Sequence, residues 1–174
     1  YNDDGSVLPY ELYKAKEKTM TPEHNVALGK NVQVSSSFEN ELVGFSEKYL
    51  TDGVTEHTIE HSGWSSEHEL HMEDPYAQEW VMVELGDVYN IDAVCLYPVH
   101  TGSYFPKRLE VQVSTNGTDW EVVHVYEGAG KEDKRPRVLV FDKVDASFVR
   151  IVSKEMMKMT YASTGYLFQL AEVE

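Results

Sequence analysis

Residues 79–99 read EWVMVELGDVYNIDAVCLYPV, and this stretch decides the fold class. Its first half alternates apolar and polar residues, which puts Val81, Val83 and Leu85 on one face of an extended strand. Its second half, from Asn90 onward, is more continuously apolar and rich in residues that favour strands. The stretch therefore predicts β-structure rather than an amphipathic helix.

Six further runs of this kind flank the stretch and are separated by turns. In RLEVQVS, for example, Leu109, Val111 and Val113 fall on one side. No intervening stretch requires a long helix, so a parallel sheet with helical crossovers is disfavoured. The pattern predicts an all-β fold, an antiparallel β-sandwich or jelly roll. The other five runs are NVQVSSSF, DWEVVHVYEG, RVLVF, SFVRIVS and YLFQLAEVE.

The residue pattern of the 174-residue chain changes near residue 24, from a polar segment to short apolar runs separated by turns. Residues 1–24 are polar, mixed in charge and contain two prolines, and we interpret them as a linker or a packed N-terminal extension. Residues 25–174 carry the strand pattern and are predicted to form one domain. Within it, FSEKYLTDG predicts a short helical turn. STNGTDW predicts a hairpin turn, and its alternative meaning is an N-x-T glycosylation sequon.

Composition restricts the possible functions. The net charge of −15 repels nucleic acid and anionic lipid, which bind through clustered Lys and Arg, but it suits neutral ligands and Ca²⁺. No apolar run approaches the ~18 residues that a membrane-spanning helix needs. Cys95 is the single cysteine, so an internal disulfide is excluded. Its place in the run AVCLY predicts a buried, inert thiol.

Residues 52–66, DGVTEHTIEHSGWSS, contain the H-x-x-E-H string HTIEH at 57–61. In inverted zinc proteases, two histidines one helical turn apart hold zinc and the Glu activates water. A helix here would be confined between Gly53 and Gly63, and its two Thr and one Ile favour helix only weakly. We therefore interpret the string as a solvated insertion. A zinc-protease centre and an incidental zinc site on the two histidines are the alternatives.

Several pieces of the chain occur in an order that is typical of one family. They are NVALGKNVQVSSSFE, LTDG, GWSS, EWVMVELGDVYNIDAVCLYPV, FPKRLEVQVSTNGTDWEVV, SFVRIVS and LAEVE. Over about residues 25–174 this set resembles the discoidin, or coagulation factor 5/8 type C, family, and above all its bacterial branch, the family 32 carbohydrate-binding modules. The resemblance implies a galactose-binding-like jelly-roll β-sandwich with ligand loops at one end.

Four large side chains have structural interpretations in such a sandwich. Trp80 and Trp120 are predicted to lie in the core. Trp64, flanked by Gly and small residues, is predicted to pack under a loop rather than stack on a sugar. Arg150, inside the run SFVRIVS, is predicted to form an ion pair at the sheet surface.

The resemblance also implies a structural calcium ion, held by an Asp-Gly turn, a Thr or Ser before Gly-Trp, and a Glu of the last strand. Ca²⁺ prefers such oxygen ligands. The insertion VTEHTIEH departs from the family pattern and leaves the carbonyl ligands open. The alternative is a plain Asx turn beside a solvated Glu, without metal. The predicted ligands are the carboxylates of Asp52 and Glu172, the hydroxyl or carbonyl of Ser62, and the carbonyls of Tyr49, Val54 and Ala171.

In galactose-preferring members, the family pattern implies a His, an Arg and an Asn on the sugar. The corresponding places here hold Ser65, Val99 and Ser103 or Tyr104, which predicts a different sugar or the loss of sugar binding. A sugar site needs an aromatic face and a few fixed polar groups. Stacking is predicted for Tyr104 or Tyr161, and hydrogen bonding for His100, Glu39 or Asn40. The predicted ligand-binding residues are Glu39, Asn40, His100, Ser103, Tyr104, Tyr161 and Tyr166.

We therefore expect a non-catalytic carbohydrate-binding module, appended to a larger bacterial glycan-active enzyme that is secreted, periplasmic or on the cell surface. Tethering would raise the enzyme concentration at the glycan. The alternative is a structural or protein-interaction domain of the same fold that has lost sugar binding. Membrane-surface binding is disfavoured by the acidic charge. The expected partners are a glycan and neighbouring domains of the parent enzyme, with no nucleic acid and no membrane insertion.

Overall fold

The computed structural model describes residues 25–56, 58, 60–71, 73–99, 104–128, 135–159 and 165–174, so that the predicted linker or extension, 1–24, lies outside the described residues. The described residues form ten strands and three 3-10 turns, which confirms the predicted all-β class. None of their helices is long and apolar enough to cross a membrane. The strands are β1 Asn31–Val34, β2 Trp64–Ser65, β3 Trp80–Tyr97, β4 Arg108–Ser114, β5 Glu121–Glu127, β6 Arg137–Glu155, β7 Met157–Lys158, β8 Tyr166–Leu167, β9 Gln169–Leu170 and β10 Glu172–Val173, and the 3-10 turns are Glu41–Val43, Glu47–Tyr49 and His68–Leu70.

Six strands form one antiparallel sheet in the order β1-β3-β6-β4-β5, with β10 paired to the C-terminal end of β3. Two small antiparallel ladders join β2 to β9 and β7 to β8. The longest strands, β3 and β6, have 18 and 19 residues and pair with each other along most of their length. The register of this ladder shifts between Glu84 and Tyr89, which is where irregular pairing lets strands bend.

The bend places the two halves of β3 on opposite sides of one core. Val81, Val83 and Leu85 of the first half are at most 1% exposed, as the alternation predicts. Val94 and Leu96 of the second half are at most 3% exposed and belong to the same buried cluster. Because residues from both halves share one cluster, the sheet folds over itself as a β-sandwich.

The tryptophans divide between the core and the outer face. Trp64 is fully buried and meets Phe168 edge to face at 5.2 Å, which confirms that it packs rather than presents a ring. The prediction for Trp80 and Trp120 is wrong, since both are only half-buried. Trp80 alternates with Val81 and so points away from the core.

Arg150 corrects a second prediction. Its guanidinium lies 4.0 Å from the ring centroid of Trp120. Its Nε and Nη2 donate to Oε1 of Gln112 at 3.0 and 2.6 Å. An amide and an aromatic ring thus replace the carboxylate of the predicted ion pair, and a cation–π contact supplies the electrostatic stabilisation.

Two local turn predictions are confirmed. Residues Glu47–Tyr49 of FSEKYLTDG form a 3-10 turn. β4 and β5 pair as a hairpin, although residues 115–120 connect them in a longer loop than a two-residue turn. In this loop Oδ1 of Asn116 accepts from the amides of Thr118 and Asp119, both at 2.9 Å, in the manner of an Asx turn.

Cys95 has the environment that its apolar run predicts. The side chain is fully buried, and burial raises the pKa of the thiol to about 12. A thiol with such a pKa stays protonated and is a poor nucleophile. The predicted inert role of Cys95 is therefore confirmed.

We predict that Gly63→Ala lowers the free energy of unfolding by at least about 3 kcal/mol. Gly63 has φ of 105°, and a Cβ there would lie 2.3 Å from the carbonyl oxygen of Leu170 and 2.5 Å from Cα of Ala171, so β2 and β9 would have to separate. The matched control is Gly29→Ala, where φ is 68° and nothing lies within 4 Å. It should cost only about 1–2 kcal/mol. Urea denaturation measures both variants, and equal losses would contradict the prediction.

Candidate functional site

Loops that follow or precede the long strands meet at one end of the sandwich and are joined by backbone hydrogen bonds. The amide of Phe38 donates to the carbonyl of Ser65 at 2.9 Å, and the amide of Gln169 donates to that of Tyr104 at 3.1 Å. Such bonds fix loops that are distant in sequence against one another. We call the region the loop surface, and it comprises residues 35–46, 65–71, 73–79, 104–107, 156–159 and 165–169.

The carboxylate of Glu79 holds two parts of the loop surface together. Glu79 is 2% exposed. Its Oε1 accepts from Oγ of Ser36 at 2.8 Å and from Nε2 of His71 at 2.5 Å, and its Oε2 accepts from Oγ of Ser35. A buried charge is stable only when donors surround it, and here both oxygens have donors. Glu79 therefore fixes His71 and its own segment against the segment that follows β1.

Ser36 extends these contacts into the core. Its Oγ accepts from the amide of Glu67 at 3.0 Å, and its carbonyl accepts from Nε1 of Trp64 at 3.1 Å. Trp64 is fully buried, so its indole N–H needs such a partner. The loop surface is therefore anchored directly on the sandwich core.

The first two predicted sugar ligands, Glu39 and Asn40, shape their own loop. Oε1 of Glu39 accepts from Oγ of Ser37 at 2.5 Å and from the amide of Glu47 at 3.1 Å. Partial burial raises the pKa of Glu39, but these hydrogen bonds and one from Ser46 outweigh it, so that the pKa lies below its ordinary value.

Asn40 caps the 3-10 turn Glu41–Val43, because its Oδ1 accepts from the amide of Leu42 at 3.0 Å. Glu39 and Asn40 both lie on the loop surface. Their contact with a sugar stays a prediction.

Of the predicted aromatic residues, the structure describes Tyr104 and Tyr166. Both are half-buried on the loop surface, and Tyr166 packs partly against the core. The amide of Tyr166 donates to the carbonyl of His71 at 2.9 Å, which places it next to the segment that Glu79 fixes. The other three predicted residues, His100, Ser103 and Tyr161, lie outside the described residues.

Sequence reasoning missed Tyr76, which is 65% exposed on the loop surface. The amide of Tyr76 donates to Oδ1 of Asp74 at 2.9 Å, and the carbonyl of Pro75 accepts from the amide of Met156 at 2.8 Å. The signal was the tripeptide Asp-Pro-Tyr, since Asp-Pro starts a turn and sends the next side chain outward. Leu42 and Leu70 are also exposed on this surface, at 90% and 64%.

A second candidate site lies where the Asp52-Gly53 turn meets the last strand, β10. The side chain of Glu172 is fully buried, and its Oε1 accepts from the amide of Gly53 at 3.0 Å. Among the described residues nothing donates to Oε2 of Glu172. Burial, together with the charges of Asp52 and Glu174, raises the pKa of Glu172 to about 8 against the opposing backbone amides of Gly53 and Asp52. We call this the Asp52–Glu172 site.

The structure brings the other predicted calcium ligands into the same region by backbone contacts. The amide of Val173 donates to the carbonyl of Leu50 at 2.8 Å, which joins β10 to the segment that follows Tyr49. Trp64 pairs with Leu170, which places Ser62 and Ala171 on neighbouring segments. The hydroxyl of Ser62 is itself used, because it donates to the carbonyl of Val43 at 2.6 Å.

The structure can be compared with two other predictions for this region, the metal-free Asx turn beside a solvated Glu and the zinc-protease centre in HTIEH. Oδ1 of Asp52 accepts from the amide of Val54 at 2.9 Å, so the expected Asx turn is present. The expected solvated Glu is not, since Glu172 is fully buried. Thr58 and His61 exchange backbone hydrogen bonds of 2.9 and 3.2 Å, which closes a tight turn instead of the helix that a zinc-protease centre requires.

His57 and Ile59 of the HTIEH string lie outside the described residues. Within the described ranges, no group of three or more His, Cys, Asp or Glu side chains could hold a metal ion.

Comparison with known proteins places this geometry in a family context. The family model of the F5/8 type C domain matches residues 31–168. A search of curated protein sequences finds no significant match.

Solved structures of similar fold include single modules of about the same extent. CpGH89CBM32-5 from Clostridium perfringens, in complex with GalNAc-β-1,3-galactose, has a TM-score of 0.65 at 17% identity, covering 87% of this chain and 95% of that one. Chitosan-binding module 1 of a chitosanase/glucanase from Paenibacillus sp. IK-5 has a TM-score of 0.62 at 24% identity, and the match covers 87% of this chain and 97% of that one. The family 32 module of NanJ from C. perfringens, in complex with galactose, has a TM-score of 0.60 at 16% identity, and the match covers 82% of this chain and 90% of that one. At these identities the likeness shows the β-sandwich fold.

We predict that Glu79→Gln lowers the free energy of unfolding by about 2–4 kcal/mol, because three donors lose a charged acceptor in a buried place. The control is Glu73→Gln, since Glu73 is exposed in the same loop and should change stability by less than about 0.5 kcal/mol. Urea denaturation at neutral pH measures both. A Glu79 variant as stable as the Glu73 variant would show that the Glu79 contacts are not needed.

Proposed function

The chain belongs to the F5/8 type C domain family, and on that basis we propose that it is a non-catalytic carbohydrate-binding module whose ligand site is the loop surface. The observation that carries the proposal is the exposed Tyr76 on the same surface as the half-buried Tyr104 and Tyr166. Two of the similar modules are seen with GalNAc-β-1,3-galactose and with galactose, which supports a sugar as the ligand.

The chemistry of a sugar suits this surface. A sugar ring presents C–H groups on one face, which pack on aromatic rings, and hydroxyls at its edge, which need fixed polar partners. The tyrosines offer both a ring and a hydroxyl. The loop that carries Tyr76 is held by Glu79, so the ring is positioned before a ligand arrives.

Ser65 and Val99 occupy the positions where the family pattern implies a His and an Arg, and neither is placed to bind a sugar. Ser65 and Val99 are 3% and 7% exposed. The hydroxyl of Ser65 accepts from Nε2 of Gln169 at 3.1 Å inside the protein. We therefore infer that recognition depends on the tyrosines and on the loop that ends at Glu79, and that the ligand need not be galactose.

We also propose that the module is joined to a bacterial enzyme that acts on glycans and that is secreted, periplasmic or on the cell surface. The similar chitosan-binding module derives from a chitosanase/glucanase, which supports such an arrangement. A module of this kind raises the local concentration of its enzyme at the glycan without taking part in catalysis.

We further propose that the Asp52–Glu172 site binds a structural calcium ion. The buried Oε2 of Glu172, which has no donor among the described residues, fits the ion because a cation would neutralise it. Asp52 adds a second carboxylate, and hard oxygen ligands are those that Ca²⁺ prefers. When bound, the ion would tie the Asp52-Gly53 turn to β10. The proposed ligands remain Asp52, Glu172, Ser62 and the carbonyls of Tyr49, Val54 and Ala171.

We predict that the chain binds at least one glycan on an array and that Tyr76→Ala weakens that binding about tenfold, the loss expected for one aromatic contact. Isothermal titration calorimetry with the strongest array glycan measures the effect. The control is Val88→Ala. Val88 is 60% exposed at the bend of β3, about 30 Å along the strand from the loop surface.

An array without any bound glycan would contradict the carbohydrate-binding function and favour an interaction domain. Glycan binding that survives in Tyr76→Ala but is lost in Val88→Ala would show that the ligand site is not on the loop surface.

We predict that excess EDTA lowers the melting temperature of the wild type and that added CaCl2 restores it. Glu172→Gln should abolish this shift. In the calcium-free state it should melt no lower than the wild type, because a neutral amide of similar shape replaces the buried carboxyl group and keeps an acceptor for the amide of Gly53. Glu60→Gln, in an exposed position of the insertion, should keep the shift. A wild-type melting temperature that responds to neither reagent would contradict the calcium site.

A further inference from the structure

One side chain of the insertion between Asp52 and Ser62, that of His61, contacts the Asp52–Glu172 site. Nε2 of His61 donates to Oδ2 of Asp52 at 2.6 Å. The imidazole also packs on the ring of Tyr49, with centroids 4.0 Å apart. His61 therefore touches two residues that are proposed to hold the cation, although it belongs to the segment in which this chain departs from the family pattern.

The backbone keeps His61 in this position. Thr58 and His61 pair across a tight turn. The next residue, Ser62, donates its amide to the carbonyl of Gly44 at 2.7 Å and its hydroxyl to the carbonyl of Val43. Because hydrogen bonds fix the chain on both sides of the imidazole, its contact with Asp52 is part of the folded structure and not the excursion of a free side chain.

The two carboxylates of the site are satisfied to different degrees. Asp52 has a donor on each oxygen, the amide of Val54 on Oδ1 and His61 on Oδ2. Glu172 has a donor on Oε1 and none on Oε2 among the described residues. A cation thus gains an unpaired oxygen from Glu172, but at Asp52 it meets an oxygen that already accepts a charge-assisted hydrogen bond.

Solvent reaches Asp52 through a surface groove of about 310 Å³, which Lys30, Glu47, Thr51 and Asp52 help to line. The side chain of Asp52 is 31% exposed, against 19% for His61. A cation entering by the groove would meet Asp52 before the buried Glu172. To use Oδ2 of Asp52 as a ligand, a cation would have to displace the His61 imidazole from that oxygen or share the oxygen with it.

We propose that His61 is an intramolecular competitor for Asp52 and sets the cation affinity of the Asp52–Glu172 site, an inference that rests on the calcium site of the proposed function. With His61 on Asp52, the loop stays closed without metal. With a cation bound, Asp52 would use Oδ2 as a ligand and His61 would lose its hydrogen bond to that oxygen. Loss of the imidazole then frees the oxygen and strengthens binding, the opposite of what loss of a metal ligand does.

The experiment compares four full-length proteins, freed of metal by chelation, by calorimetric titration with CaCl2 at one fixed pH. They are the wild type, His61→Ala, His61→Phe and Glu60→Ala. His61→Phe keeps a ring on Tyr49 and removes only the donor, so it separates the hydrogen bond from packing. Glu60→Ala changes the same tight turn at an exposed residue and leaves His61 in place.

We expect both His61 variants to bind Ca²⁺ about tenfold more tightly than the wild type, the factor expected for one charge-assisted hydrogen bond, and Glu60→Ala to bind like the wild type. Binding by the His61 variants but not by the wild type would support the same inference. Affinities equal to or below that of the wild type would overturn it while the calcium site stands. If none of the four proteins binds, the calcium site and the competition both fail, whereas glycan binding is judged separately on the array.

Discussion

The ladder between β3 and β6 is the constraint on which the rest of the structure depends. These two strands run through both layers of the sandwich, pairing Trp80 with Val152 near one end of the ladder and Leu96 with Arg137 near the other. Because the bend lies midway, both ends of each strand reach the same end of the molecule. The loops that leave from there form the loop surface, so its position follows from the ladder and not from contacts among the loops alone.

Two buried carboxylates show how differently this framework treats charge. Glu79 has donors on both oxygens, from three side chains, and acts as a fixed cross-link between loops. Glu172 is equally buried but keeps one oxygen without a donor in the described part of the chain. The first arrangement is complete without any further group, whereas the second leaves a buried oxygen without a partner. The number of donors around chemically identical groups thus separates a structural cross-link from a proposed metal ligand.

Local pattern was sufficient for the fold because alternation reports directly which side chains face the core. Val81, Val83 and Leu85 show this, and the same alternation places Trp80 on the outer face, where hydrophobicity alone had put it in the core. The strands of the sandwich could therefore be predicted before their pairing was known.

The sites were harder to predict because their contacts join residues that are distant in sequence. Glu79 meets Ser36 across 43 residues, and no local pattern shows such a pair. Family resemblance pointed to Asp52 and Glu172, and their role as calcium ligands stays a prediction. The approach of His61 to Asp52 depends on the path of an insertion that has no counterpart in the family pattern. For Tyr76, the only sequence signal was its position directly after the turn-forming pair Asp74-Pro75.

The short strand β10 closes the core late in synthesis. Val173 donates its amide to the carbonyl of Leu50, and Glu174 exchanges backbone hydrogen bonds of 2.7 and 2.9 Å with Cys95. The partners of these residues leave the ribosome long before they do. A nascent chain therefore has the central ladder available while the groove for β10 is still open and its apolar walls are exposed to water. The groove cannot be filled until β10 has been translated, and during that interval a chaperone or a neighbouring nascent chain can bind there.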